Sequence, residues 1–166
     1  MITLTRWSDR PSVVQNLFNP PFCGLLLWEA LCGYNDSGMD YSLAYLVLPT
    51  VLHRRIRHAL PRTTRTTLID WVQHHPEFAL MFPHLTARMA PFTAEGLLWA
   101  ANADALMFSS TDARLISLRK PPIADDIPDD RIYEVSDCVH KARFLGKWLA
   151  KSGSPAVVFS VLGIRP

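Results

Sequence analysis

Charge is scarce in this 166-residue chain: Asp, Glu, Lys and Arg make up 19% of it, where about 25% is usual for a soluble domain. The 17 basic and 15 acidic residues leave a formal net charge of +2, so the chain as a whole is not driven toward polyanions and any attraction of that kind must be local. Glycine is sparse too, at 7 residues. Neither GxGxxG nor GxxxxGK occurs, the runs in which backbone amides cradle phosphates, so the chain is not expected to hydrolyse ATP itself. Cysteine is limited to Cys23, Cys32 and Cys138. An odd number, in apolar stretches and without CxxC spacing, predicts reduced, buried thiols of a cytosolic protein. Long hydrophobic runs are missing: residues 43–52 form the greasiest stretch, about half of the 20 or so that a membrane span needs. Residues 1–10 carry Arg6, Asp9 and Arg10 with no apolar run behind them, which is not a secretory signal. A soluble, cytoplasmic protein with no membrane contact is the expectation.

Catalytic signatures are missing as well. There is no HExxH and no pair of CxxC motifs to hold a metal. His74 and His75 are adjacent and project about 100° apart on a helix, while His53 and His58 miss the i, i+4 spacing that makes a clamp. No GxSxG nucleophile elbow exists. Ser152-Gly153-Ser154 reads as a helix stop. Cys138 and His140 diverge on a helix and make no thiol dyad. Asp125, Asp126, Asp129 and Asp130 sit among prolines and read as a solvated linker. These absences predict a protein that is not an enzyme and needs no metal or cofactor.

What the chain does have is apolar bulk. Hydrophobic residues make up 49% of it, including 5 Trp, 8 Phe and 4 Tyr, enough for one domain with a real core and apolar surface left for a partner. Its 13 prolines punctuate that bulk into short helices. Asn19-Pro20-Pro21 opens a helix that is apolar on nearly every side through Leu31, broken only by Glu29, and so is expected at the centre of the fold. Residues 41–52 read as a second buried helix, bent or ended near Pro49. A third carries Leu68, Trp71, Val72 and His75 on one face and stops before Pro76. A fourth covers 77–89, and Thr93 is read as the N-cap of a fifth through Asp104. Residues 106–108 and 114–118 then read as strand, turn, strand. The predicted fold is mainly α: a compact multi-helix domain with a short β-hairpin, winged-helix-like in its second half. Residues 1–118 form the helical core ending in that hairpin, 119–131 an exposed acidic linker, and 132–166 C-terminal helices packing on the core or on a partner.

Two features are candidates for recognition. Arg54, Arg55, Arg57, Arg62 and Arg65 lie within twelve residues, and each guanidinium is a fixed fork of donors for phosphate or carboxylate. Contact with a partner protein, contact with nucleic acid, and plain solvated surface paired with Glu29, Asp36, Asp40 or Asp70 all remain open for them. The second feature lies on the helix predicted over 133–151. Val135, Cys138, Val139, Ala142, Leu145 and Leu149 fill one stripe, whereas Phe144 and Trp148 point to another side. Those two rings call for a partner or for a second layer of the protein's own chain.

Three stretches carry a resemblance. The first is Asn19-Pro20-Pro21-Phe22-Cys23-Gly24-Leu25-Leu26-Leu27. The second runs from Leu46-Val47-Leu48-Pro49-Thr50-Val51-Leu52-His53 to Leu60-Pro61-Arg62-Thr63-Thr64-Arg65-Thr66. The third joins Ala142-Arg143-Phe144-Leu145-Gly146-Lys147-Trp148 to Gly153-Ser154-Pro155-Ala156-Val157-Val158-Phe159 and Leu162-Gly163-Ile164-Arg165-Pro166. In this order they resemble the middle component of bacterial three-component ABC systems, the small subunit of Lamassu-type antiphage operons. The resemblance implies a non-catalytic adaptor subunit. Its partners are an ABC ATPase like those of chromosome maintenance (SMC) and double-strand-break repair, and a toxic effector, often a nuclease, with DNA reached through the complex. A winged-helix DNA-binding regulator, using residues 54–65 and the hairpin, is the alternative from the residues themselves.

Overall fold

The computed structural model describes residues 6–122 and 132–165, so the linker expected over 119–131 lies mostly outside the described residues. In chain order the elements are a 3-10 turn (Trp7–Asp9), α1 (Ser12–Leu17), α2 (Pro20–Tyr34), β1 (Met39–Asp40), a second 3-10 turn (Tyr41–Leu46) leading into α3 (Val47–Leu52), α4 (Arg54–Ala59), α5 (Leu68–His74), α6 (Pro76–Asn102), β2 (Leu106–Ser109), β3 (Arg114–Ser117), α7 (Ile132–Leu149) and α8 (Pro155–Val161).

Helix α2 is the hub. Its first turn is closed by the Asn19 side chain, which accepts from the Phe22 amide at 2.7 Å, with Pro20 and Pro21 where no donor is needed. Every residue from Cys23 to Leu31 is buried, Glu29 included, because α6 packs on one side of α2 and α7 on another. Glycines set how closely they pack. Where α2 meets α7, a β-carbon on Gly33 would lie 2.0 Å from the Arg143 carbonyl oxygen, and one on Gly146 would lie 1.9 Å from that of Ala30. Where α2 meets α6, a β-carbon on Gly96 would sit 2.9 Å from Cys23 Cβ, and one on Gly24 would sit 3.1 Å from the Gly96 carbonyl oxygen. Backbone therefore rests on backbone where α2 meets α7, while where α2 meets α6 the Trp99 ring and Cys23 Cβ also crowd the glycines, and neither crossing leaves room for a Cβ.

Two expectations need correction, and the expected hairpin gains a third strand. Residues 76–102 form one helix, not two: Pro83 and Pro91 lie inside α6, and Thr93 is no cap. The Thr93 hydroxyl turns back onto the Met89 carbonyl at 3.3 Å, the bond a threonine makes in mid-helix. Phe78 and Phe82 at one end, and Gly96, Leu97 and Ala100 at the other, are buried together, so tertiary packing outweighs the local penalty of each proline. Residues 41–52 are a 3-10 turn followed by α3; Pro49 falls in the first turn of α3, where its missing donor has no partner to lose. The hairpin is part of a three-stranded antiparallel sheet in the order β1-β3-β2, with Met39 opposite Leu115 and Leu106 opposite Ser117. Gly38 admits β1 to that sheet: its φ is +88°, and a β-carbon there would meet the Leu115 carbonyl oxygen at 2.8 Å. This mainly helical fold with its small sheet is compatible with the winged-helix-like arrangement.

The predicted stripe on α7 is buried at Cys138, Ala142, Leu145 and Leu149 and half-buried at Val135 and Val139. Gly153, at φ +91°, ends that segment, and Ser154 caps α8 by accepting from the Val157 amide. No helix among the described residues is long and apolar enough to cross a membrane.

Candidate interaction surface

The five arginines of residues 54–65 divide into one that faces inward and four that face water. Arg57 is 3% exposed. Its Nε donates to Asp137 Oδ2 at 2.8 Å, one terminal nitrogen donates to Glu134 Oε1 at 2.9 Å, and the other donates to the Val51 carbonyl at 2.8 Å. Helix α4 turns Ile56 and Arg57 inward, so this guanidinium ties the end of α3 to the first turns of α7 and is not available to a partner. Its carboxylates are not among those proposed from the sequence; Glu29 pairs instead with Arg143 at 2.7 Å. Arg54, Arg55, Arg62 and Arg65 are exposed, and their guanidinium groups make no ion pair or hydrogen bond among the described residues.

The loop carrying Arg62 and Arg65 is fastened from below. Trp71 Nε1 donates to the Ala59 carbonyl at 2.7 Å, and Trp148 Nε1 donates to the Thr66 carbonyl at 2.7 Å. The two indoles meet edge to face at 5.4 Å. Lys151 Nζ reaches Thr64 Oγ1 at 3.0 Å, and Thr67 caps α5 by accepting from the Asp70 amide while its hydroxyl donates to the Asp70 carboxylate. Trp148, 2% exposed, is thus covered by the protein's own chain. Phe144 is half-buried and stacks on it at 6.3 Å. Trp148 does not face a partner: it holds in place the loop that presents two of the arginines.

Sequence reasoning missed that α7 adds to this face. Lys147 and Lys151 are exposed one turn apart, and the Lys151 contact with Thr64 sets the end of α7 beside the arginine loop. The signal lay in the two lysines flanking Trp148 at i−1 and i+3. His53, at the start of α4, accepts from the Ile56 amide through Nδ1 at 3.4 Å. Burial, with the Arg55 charge beside it, holds its pKa below the ordinary value, which keeps Nδ1 free to accept.

With this geometry in hand, one comparison decides the family. Residues 7–166 match the family model described as ABC-three component (ABC-3C) system Middle Component 3. The chain belongs to that family. No curated protein and no solved structure matches it. As a middle component of a three-component ABC system, the chain works with other subunits, and its outward surfaces take their meaning from that.

Its thiols are built for packing. Burial pushes Cys138 up to about 11, against the pull of nearby Arg57, and Cys23 up to about 12, so neither is a thiolate at neutral pH. Among the described residues no three His, Cys, Asp or Glu side chains come together as a metal site. The pocket between Leu46, Trp71, Phe82, Trp148 and Leu162 has a volume of ≈ 10 Å³, room for about one water. Apolar side chains do face outward elsewhere: Leu80 and Leu98 on α6, Met107 and Phe108 on β2, and Tyr133 on α7.

Proposed function

We propose that this middle component is a non-catalytic adaptor of an antiphage or antiplasmid defence complex of the Lamassu kind. In this reading it links an SMC-like or break-repair-like ABC ATPase to a toxic effector, a nuclease in the leading version, and helps to hold that effector inactive in the cytoplasm. The observation that carries the reading is the family match over nearly the whole chain. One feature of the surface supports it: large apolar side chains are left outward on α6 and β2, suited to docking on other subunits. The test is co-expression with the ATPase and effector encoded beside its gene, followed by affinity purification and light scattering. Co-elution of the three, and effector toxicity that rises when this subunit is deleted, are expected. A subunit that elutes alone, with toxicity unchanged by its deletion, sinks the reading.

A further inference from the structure

We propose that the face made by Arg54, Arg55, Arg62, Arg65, Lys147 and Lys151 binds the phosphodiester backbone of duplex DNA, without reading base sequence. This deepens the reading of that face as an outward contact surface, and it does not depend on which proteins the subunit joins.

Three observations select this ligand. From His53 to Ile69 there is no carboxylate in the sequence; the acids that pack against the segment are Glu134 and Asp137, which hold Arg57, and Asp70, engaged by Thr67, so the four exposed arginines stay unpaired and the segment stays net positive. The apolar residues of the segment, Ile56, Leu60 and Leu68, are buried, and only Ile69 at its far end shows a large apolar side chain. A protein interface needs an apolar or aromatic centre depleted of charge, and this face offers the reverse. It also offers no exposed aromatic ring on which single-stranded bases stack. What it does present, guanidinium and ammonium groups with the exposed Thr63 hydroxyl among them, are the donors that contact phosphate oxygens.

The arrangement is also rigid where it matters. Lys147 on α7 and Lys151 just past its end are tied to the 60–67 loop by the Trp148 bond to Thr66 and the Lys151 bond to Thr64, and the Trp71 bond to the Ala59 carbonyl fixes the end of α4 where that loop begins. Four arginine–phosphate contacts alone give a slope of log K against log salt of about −3.6, or about 150-fold weaker binding at 200 mM than at 50 mM.

The test uses the full chain and a fluorescein-labelled 30-base-pair duplex, followed by anisotropy between 50 and 200 mM KCl. The expected result is that steep slope, equal on two unrelated sequences, falling by about 1.8 in Arg54→Ala/Arg55→Ala and again in Arg62→Ala/Arg65→Ala, with melting temperatures unchanged. Arg88→Ala, on α6, serves as the control and leaves the slope alone. The proposal is overturned by absence of binding at 50 mM, by a slope that neither double variant moves, or by tighter binding of single strands or of duplex RNA. If the double variants instead break co-purification with the ATPase or effector and leave DNA unaffected, the face is a protein contact; the adaptor reading then stands while this one falls.

Discussion

Replacing Gly146 by alanine inverts an ordinary rule. In the interior of a solvated helix, glycine to alanine stabilises by roughly 0.5–1 kcal/mol, because the unfolded chain loses freedom. At residue 146 the new Cβ would stand 1.9 Å from the Ala30 carbonyl oxygen and 2.9 Å from the Tyr34 amide nitrogen. Both obstacles are backbone, so no side chain can swing aside. Reaching ordinary contact forces α7 from α2 by about 1.5 Å, and a gap of 0.5–1 Å already forfeits a quarter to a half of a dispersion well. Cys138, Ala142, Leu145 and Leu149 all lose contact along the α7 seam. Overpacking usually costs about 1–3 kcal/mol, and with backbone on both sides we expect about 3 kcal/mol or more. At a urea dependence of about 2 kcal/mol/M, the unfolding midpoint drops by about 1.5 M, followed by circular dichroism and by tryptophan emission from Trp148 two residues away. A midpoint that is unchanged or raised would refute the reasoning, for it would mean that the two backbones do not touch.

Four further outcomes are expected. Leu26→Ala, at a fully buried site on α2, costs about 2–5 kcal/mol in the same urea titration. Arg57→Ala costs about 2–3 kcal/mol, less than the 3–5 of a wholly buried pair because Glu134 stays largely solvated, whereas Arg54→Ala stays within about 0.5 kcal/mol. His53, whose pKa in the fold lies below its unfolded value of 6.5, contributes stability that is whole above 6.5 and is lost as pH falls toward the folded pKa, since the unfolded chain takes up the proton first. His53→Asn keeps a capping acceptor and removes that acid slope from thermal melts between pH 7 and 5. Iodoacetamide at pH 8 modifies half-exposed Cys32 before Cys23 or Cys138; equal labelling of the native protein at all three positions contradicts their burial.

Much of the fold is legible where one local signal suffices. Asn19-Pro20-Pro21 marks the start of α2, and the three- and four-residue steps on α7 give its buried side. The continuity of α6 is not legible, because Pro83, Pro91 and Thr93 are all local break signals and the packing that overrules them is supplied by other parts of the chain. Strand β1 has two residues, too few to show a period, and exists because β3 offers an edge to it. For the candidate surface, the arginines are visible in the sequence but their division is not. Arg57 finds its acids 77 and 80 residues away, and no local pattern distinguishes it from Arg54 or Arg55. Trp148 is likewise legible as a ring lying off the stripe, but its bond to Thr66 spans 82 residues and turns a suspected contact into a support.

The buried hub also sets the order in which the protein can be made. Helix α2 has no polar side, and α7, which covers it, ends about 115 residues later at Leu149. At roughly 5–20 residues per second, a ribosome needs about 6–23 s to supply that cover after α2 is complete. Through this interval the nascent chain carries a fifteen-residue apolar helix whose Gly33 seam has nothing to close against, so premature termination before residue 132 is expected to yield a product that needs a chaperone or aggregates.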